Sequence, residues 1–221
     1  MWRNTFKLRS QYSIGLKSLR RSLATNTPEN QSYFGIFSKT FPHGGPPKES
    51  FIINLKQLRK EYRVLQSEHH PDVSISQDDF SSIVNKAYTT LKNPYTRVAY
   101  IIEKNHPGHL DITKDEVAKD LIKQFQGKST EVALAYKTML MSVLDAHEAL
   151  ELAESEKDLD ELSVENDERL EQSETKINDL LATKEIPWDD VVMEAIKIKY
   201  WVNIQNGIKD WEQGKPVHLT H

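Results

Sequence analysis

The 221 residues carry 29 Lys and Arg against 33 Asp and Glu, with eight glycines, nine prolines and no cysteine. The missing thiols exclude disulfides, cysteine nucleophiles and thiolate ligation of zinc or iron–sulfur clusters. No apolar run reaches the roughly 18 to 20 residues that span a bilayer, and the scarcity of helix breakers in long stretches rich in Leu, Lys, Glu, Ala and Gln favours an all-α protein of one or two domains.

The first segment differs in kind. Residues 1–23 hold Arg3, Lys7, Arg9, Lys17, Arg20 and Arg21, several serines and no acid, with apolar residues dispersed rather than gathered in one block. That is the pattern of an amphipathic mitochondrial transit peptide rather than a secretory signal. Arg21-Ser22-Leu23 before Ala24 has the look of a matrix-protease cleavage site. The reading is therefore a transit peptide over 1–23 and a linker over 24–31, with a basic, unfolded arm as the alternative. Without residues 1–23, which hold six bases, the chain keeps 23 bases and 33 acids, a net charge of −10. An acidic chain of this kind argues against a nucleic-acid partner, which calls for a basic face.

Ser32 to Ser38 is a short aromatic segment, followed by a turn-rich stretch with Pro42, Gly44, Gly45, Pro46 and Pro47. Asn54 then reads as a helix N-cap, with Gln57 in capping-box position. Leu55, Leu58, Tyr62, Leu65 and His69 recur on one face, while Lys56, Arg59, Lys60 and Arg63 lie largely off it. Pro71 ends this helix by removing a donor and pushing His70 out of the helical region. The resulting loop contains His70-Pro71-Asp72. Asp78 or Asp79 can cap the next helix, whose apolar positions are Phe80, Ile83, Val84, Ala87, Tyr88 and Leu91. Two helices joined by a short loop imply an antiparallel hairpin. Asn93-Pro94 opens a shorter helix reaching Lys104, and His106-Pro107-Gly108 stops it.

A helix over 114–126 ahead of Gly127 precedes three long helical patterns near 129–153, 157–182 and 187–212. The last opens with Pro187 and has Asp189 and Asp190 in its first turn. With no strand-like alternation, this half reads as an antiparallel three-helix bundle. In the first of the three, Val132, Ala135, Met139, Val143, Ala146, Leu150 and Ala153 form a core-facing stripe. At about 100° per residue, Leu140 and Leu144 fall roughly 100–140° from its centre, with Met141 and Glu148 further round. An apolar row accompanied by Asp145 and Glu148 has the character of a binding face. The alternative is a bundle that wraps this helix widely enough to bury both rows.

Other chemistry finds little support. His69 and His70 are adjacent, so on a helix they diverge by about 100° and chelate poorly. Asp145-x-His147-Glu148 lacks a matching second cluster. The sequence has no nucleotide-binding Gly-rich loop, no nucleophile elbow and no convincing acid/base pair, so neither a metal nor a cofactor is expected.

The aromatic segment, the basic helix, the His70-Pro71-Asp72 loop and the run Asn85-x-Ala87-Tyr88-x-x-Leu91, Pro94-x-x-Arg97-x-x-Tyr100 together resemble a J-domain over about 32–104. Within that class, Leu58-Arg59-Lys60-Glu61-Tyr62-Arg63 and the Ala-Tyr-x-Thr-Leu-Lys-x-Pro run are similar to the HscB family of iron–sulfur co-chaperones, in its metal-free mitochondrial form. The resemblance implies a J-domain helical hairpin over 32–105, a connector over 106–128, a C-terminal bundle over 129–213 that binds a cluster scaffold protein, and a tail over 214–221. It implies that Lys56, Arg59, Lys60 and Arg63 engage a mitochondrial DnaK-type ATPase chaperone, whose hydrolysis His70, Pro71 and Asp72 trigger. It further implies that Leu140, Met141, Leu144, Asp145, Glu148 and Tyr200 bind the scaffold in the mitochondrial matrix. The chain departs from the family at Ala149, where an acid is common, and at Ser142 and Leu152, where polar or charged residues occur. On this reading the chain is not itself an enzyme. The competing readings are a general J-protein with other clients and a purely structural helical adaptor.

Overall fold

A computed structural model describes residues 32–68 and 76–215, with residues 76–79 described by backbone alone. The transit-peptide reading of 1–23, the linker, His69, His70-Pro71-Asp72 and the last residues of the tail lie outside the described residues. Among the described residues all regular structure is helical: α1 (Tyr33–Ile36), α2 (Leu55–Glu68), α3 (Ser76–Lys92), α4 (Pro94–Asn105), α5 (Asp115–Lys128), α6 (Thr130–Glu151), α7 (Glu156–Leu181) and α8 (Trp188–Lys209).

Caps set several boundaries. Asn54 Oδ1 accepts from the backbone N–H groups of Lys56 and Gln57, both at 3.1 Å, satisfying donors that a helix start leaves free. Gln57 does not complete a capping box; its Nε2 donates instead to the Lys39 carbonyl at 2.6 Å. Asn93 caps α4 by accepting from Tyr95 N at 2.9 Å and Thr96 N at 3.2 Å, with Pro94 in the first turn. Ser129 caps α6 through Val132 N at 3.2 Å. Several starts and ends differ by one to three residues from the sequence reading. Helix α3 begins at Ser76, ahead of Asp78 and Asp79; α5 runs through Gly127 to Lys128; and Pro187 is the N-cap of α8 rather than its first turn.

Helix α8 is the axle. Val191, Val192, Ala195, Ile196, Ile198, Trp201, Val202 and Ile204 are all buried and occupy every side of it, as expected of a helix enclosed by neighbours. It packs most extensively on α7 and also on α4 and α6; α5 packs on α6, and α1 and α2 pack on α3. The buried Glu194 of this apolar helix is held by Lys176 at 3.2 Å and Lys197 at 3.4 Å, which meets the requirement that a buried charge be paired. Asn166, fully buried on α7, donates to the Trp201 carbonyl at 3.0 Å.

The first three helices form the expected hairpin plus its aromatic cover. Tyr33 stacks on Tyr100 at 4.5 Å, and Phe34 meets Phe41 edge-on at 5.0 Å. Gly45, at φ +82°, lies so close to Phe34 that a Cβ would sit 2.3 Å from its ring, so only glycine fits this approach. On α2 the predicted stripe is shifted. Leu58 is fully buried, but Leu55 is 52% exposed, and the buried partner one turn on is Glu61. Glu61 accepts from Lys39 N at 2.9 Å, Thr40 N at 2.8 Å and Thr40 Oγ1 at 2.7 Å, tying α2 to the turn after α1. On α6, likewise, Tyr136 is buried where Ala135 was expected, and Ala135 is exposed.

The two halves share one unbroken core. Arg97 of α4, 1% exposed, donates to the Leu91 carbonyl and to Glu174 of α7, both at 2.9 Å, and lies over the Phe51 ring at 4.4 Å. Burial pushes the guanidinium down to about 10 against the pull of Glu174, and burial raises the Glu174 carboxyl. Beside it, Asn178 of α7 accepts from Ser50 Oγ at 2.9 Å and Phe51 N at 3.0 Å. Arg97→Ala strands a half-buried carboxylate and the Leu91 carbonyl, and is expected to lower stability by about 3 kcal/mol, read from urea unfolding; Leu134→Ala, at a site 63% exposed, should change it by less than about 0.5 kcal/mol.

Candidate functional site: two interaction surfaces

The first surface is the outer face of α2. Lys56, Arg59, Lys60 and Arg63 are exposed and line a shallow concavity of about 390 Å³ together with Val64 and Ser67. Their spacing of i, i+3, i+4 and i+7 puts all four cations on one helical face. None of the four makes an ion pair with a described residue. With no ion pair to a described residue, this face is a positive patch able to steer a negative partner.

The patch is rigidly mounted. On the inner side of the hairpin, Tyr62 stacks on Tyr88 at 4.1 Å and its hydroxyl donates to Asn85 Oδ1 at 2.7 Å. Gln66 Nε2 donates to the same oxygen at 3.0 Å, and Ser81 Oγ donates to Gln66 Oε1 at 2.9 Å. This ladder explains the Asn85-x-Ala87-Tyr88 pattern: Asn85 braces, Ala87 is buried where helices approach, and Tyr88 stacks. It fixes the two helices that flank the His70-Pro71-Asp72 loop, itself outside the described residues.

The second surface is a groove of about 710 Å³ bounded by α5, α6, α8 and the start of α4. It brings together Leu140 and Leu144 of α6 with Tyr200 of α8. Met141, Asp145 and Glu148 do not line it; they are exposed on the outer flank of α6, with Met141 at 56% and Leu144 at 66% exposure. In the second apolar row of α6, Leu144 and Met141 are therefore surface, while Leu140 is half-buried and packs against the core. Tyr200 is half-buried and packs against the core, and beneath it burial raises the Tyr136 hydroxyl above its ordinary value.

Sequence reasoning missed the opposite wall. Ala118, Lys119 and Ile122 of α5, Ile112 before it and Tyr95 of α4 all face the groove. Tyr95 donates to the Ile112 carbonyl at 3.0 Å, and burial with nearby Asp115 and Asp111 pushes its hydroxyl up to about 12. Lys199 of α8 clasps Asp115 at 3.2 Å, closing α5 onto α8. The signal available was the i, i+3, i+7 spacing of Asp115, Ala118 and Ile122, but its apolar members are too few to stand out. His147 pairs with Glu151 at 3.5 Å, and no group of three potential metal ligands occurs among the described residues.

Comparison with known proteins places these surfaces in context. A profile described as the HSCB C-terminal oligomerisation domain matches residues 135–209, which is α6 to α8. The mitochondrial J-type co-chaperone JAC1 of Saccharomyces cerevisiae is 31% identical over 190 residues, covering 86% of this chain and 94% of the relative. The chain belongs to the HscB and Jac1 family of J-type co-chaperones. The co-chaperone HscB of Proteus mirabilis is 24% identical over 173 residues, covering 74% of this chain and 90% of its own. The solved structure of the Saccharomyces cerevisiae Jac1 co-chaperone, residues 5–182, superposes with a TM-score of 0.61 at 29% identity, over 85% of this chain and 98% of that one. The all-helical fold of this J-type co-chaperone is thus that of the family, and no helix among its described residues is long and apolar enough to cross a membrane.

The two classes of groove residue separate by stability. Leu144→Ala in the co-chaperone should change the unfolding free energy, read from urea titration, by less than about 0.5 kcal/mol. Tyr200→Ala should cost about 2 kcal/mol because the half-buried Tyr200 ring packs against the core; equal effects would mean that Leu144 belongs to the core.

Proposed function

We propose that this co-chaperone serves iron–sulfur cluster assembly in the mitochondrial matrix. It binds the cluster scaffold protein through the α6–α8 groove, carries it to a DnaK-type chaperone and stimulates that chaperone's ATPase, promoting cluster transfer to apo-proteins. The observation that carries the reading is the coverage of the mitochondrial relative, which spans both the basic hairpin and the groove-bearing bundle. Each half supplies a surface suited to a different partner, and a co-chaperone needs two.

The division of labour follows from the chemistry. Four cations on one face of α2 accelerate encounter with an acidic chaperone surface. Pro71 limits the backbone freedom of its loop, so Asp72 is presented to a cation of the chaperone at little entropic cost. His70 and Asp72 then act on the partner's ATPase; the hydrolytic groups belong to the partner. At the other end, Leu140, Leu144 and Tyr200 offer apolar anchors, with Asp145, Glu148 and Met141 at the margin. Anchors of this kind supply most of the affinity in a protein interface, while rim charges tune rate and specificity. The basic segment 1–23 and the mitochondrial relatives support the compartment.

His70→Gln and Asp72→Asn should abolish ATPase stimulation in a steady-state phosphate-release assay while leaving the circular dichroism spectrum and scaffold binding unchanged. Stimulation that survives either substitution would remove the trigger role. Leu140→Ala with Leu144→Ala should weaken scaffold binding by about tenfold or more, consistent with loss of apolar anchors, measured by titration calorimetry, with unaltered ATPase stimulation by the co-chaperone alone. An unaltered scaffold affinity would instead favour a J-protein with other clients.

A further inference from the structure

The groove has a second wall that the family profile, ending at residues 135–209, does not include. It is built by α5. Asp115, Ala118, Lys119 and Ile122 recur at i, i+3, i+4 and i+7 and line the groove opposite Leu140 and Leu144. Tyr95 and Ile112 hold the start of this wall through their 3.0 Å hydrogen bond.

The charges along the groove are unequal. Four ionisable groups other than tyrosine line it: Asp115, Lys119, His147 and Lys199. Asp115 and Lys199 neutralise each other at 3.2 Å, and His147 faces Glu151 at 3.5 Å. Lys119 is exposed and makes no ion pair with a described residue. Across the groove, the exposed Asp145 and Glu148 stand on the far flank of α6. The groove therefore has an apolar floor, an uncompensated cation on one side and acids beyond the other.

We infer that α5 is part of the scaffold-docking site, and that the segment it receives is amphipathic, with an apolar ridge between a carboxylate that meets Lys119 and a base that meets the Asp145–Glu148 flank. This rests on the proposed docking role of the groove. Its physical basis is charge complementarity: a polarised groove fixes the direction in which an amphipathic segment lies, because the reversed orientation sets like charges against each other. Ala118 matters by its smallness. It leaves space between α5 and the Leu140–Leu144 row of α6 into which a large apolar side chain of the partner can descend.

The test is titration of the purified iron–sulfur scaffold, without cluster, into the full-length co-chaperone and four variants. Lys119→Ala should weaken binding about threefold and Lys119→Glu about tenfold, the range of a partly desolvated rim charge. The difference between them should shrink at high salt as screening shortens to a few ångströms. Ala118→Trp, which fills the groove from the α5 side, should weaken binding more than tenfold, with chaperone ATPase stimulation in the absence of scaffold unchanged. Leu144→Ala is run in parallel on the α6 wall. If Leu144→Ala weakens binding while Lys119→Glu binds as tightly as the original chain, α5 is not part of the site and the inference is overturned, with the docking role of α6 standing. If all four variants bind like the original chain, the docking role and the inference both fall. Should Ala118→Trp unfold, Lys119→Glu alone decides.

Discussion

Arg97 is the constraint on which the relation between the two surfaces depends. Its guanidinium closes the end of α3 through Leu91, reaches Glu174 on α7 and lies against Phe51. Three segments that are far apart in the chain thus share one buried cation. A charge removed from water must be paired, so the seating of α4 against α7 rests on directional bonds as well as on apolar contact. Apolar surfaces can slide over one another; a bonded guanidinium fork cannot without losing its partners. The basic face of α2 and the α6 groove consequently belong to one body, since α4 joins the first and α8 the second.

The interior shows a repeated solution to the same problem. Glu61, Glu194, Asn166 and Arg97 are all buried polar groups, and each binds a neighbouring element: a turn, a pair of lysines, a backbone carbonyl or a second helix. Their energetic yield is small compared with the apolar core. Their geometric yield is larger, because helices packed by leucine and isoleucine alone admit several registers.

Helices, hairpin and caps were legible in the sequence because they depend on neighbours three or four residues away. Asn54, Asn93, Pro94 and Ser129 act locally, and the periodicities of α3, α6 and α8 report a buried side wherever the core lies. The second row of α6 was legible for the same reason, since its angular offset needs no partner to be known. What escaped was everything decided at long range. Glu61 and Arg97 stood in the sequence only as members of family motifs, with no burial assigned to them, because the turn at Lys39–Thr40 and the carboxylate on α7 are far off in sequence. Leu55 and Ala135 read as core because a stripe fixes a direction only to within about one residue per turn. Helix α5 was read as connector, and its face toward the groove became visible only once α6 and α8 lay beside it.

The ladder of Tyr62, Gln66, Asn85, Ser81 and Tyr88 has a consequence for how α2 and α3 are held in register. Its last rung, Gln66 with Ser81, lies near the loop end of both helices, so alignment of the hairpin is settled before the chain enters the turn. The register of α2 against α3 is thus written in side chains of the two helices themselves, a lock that closes before the turn is reached.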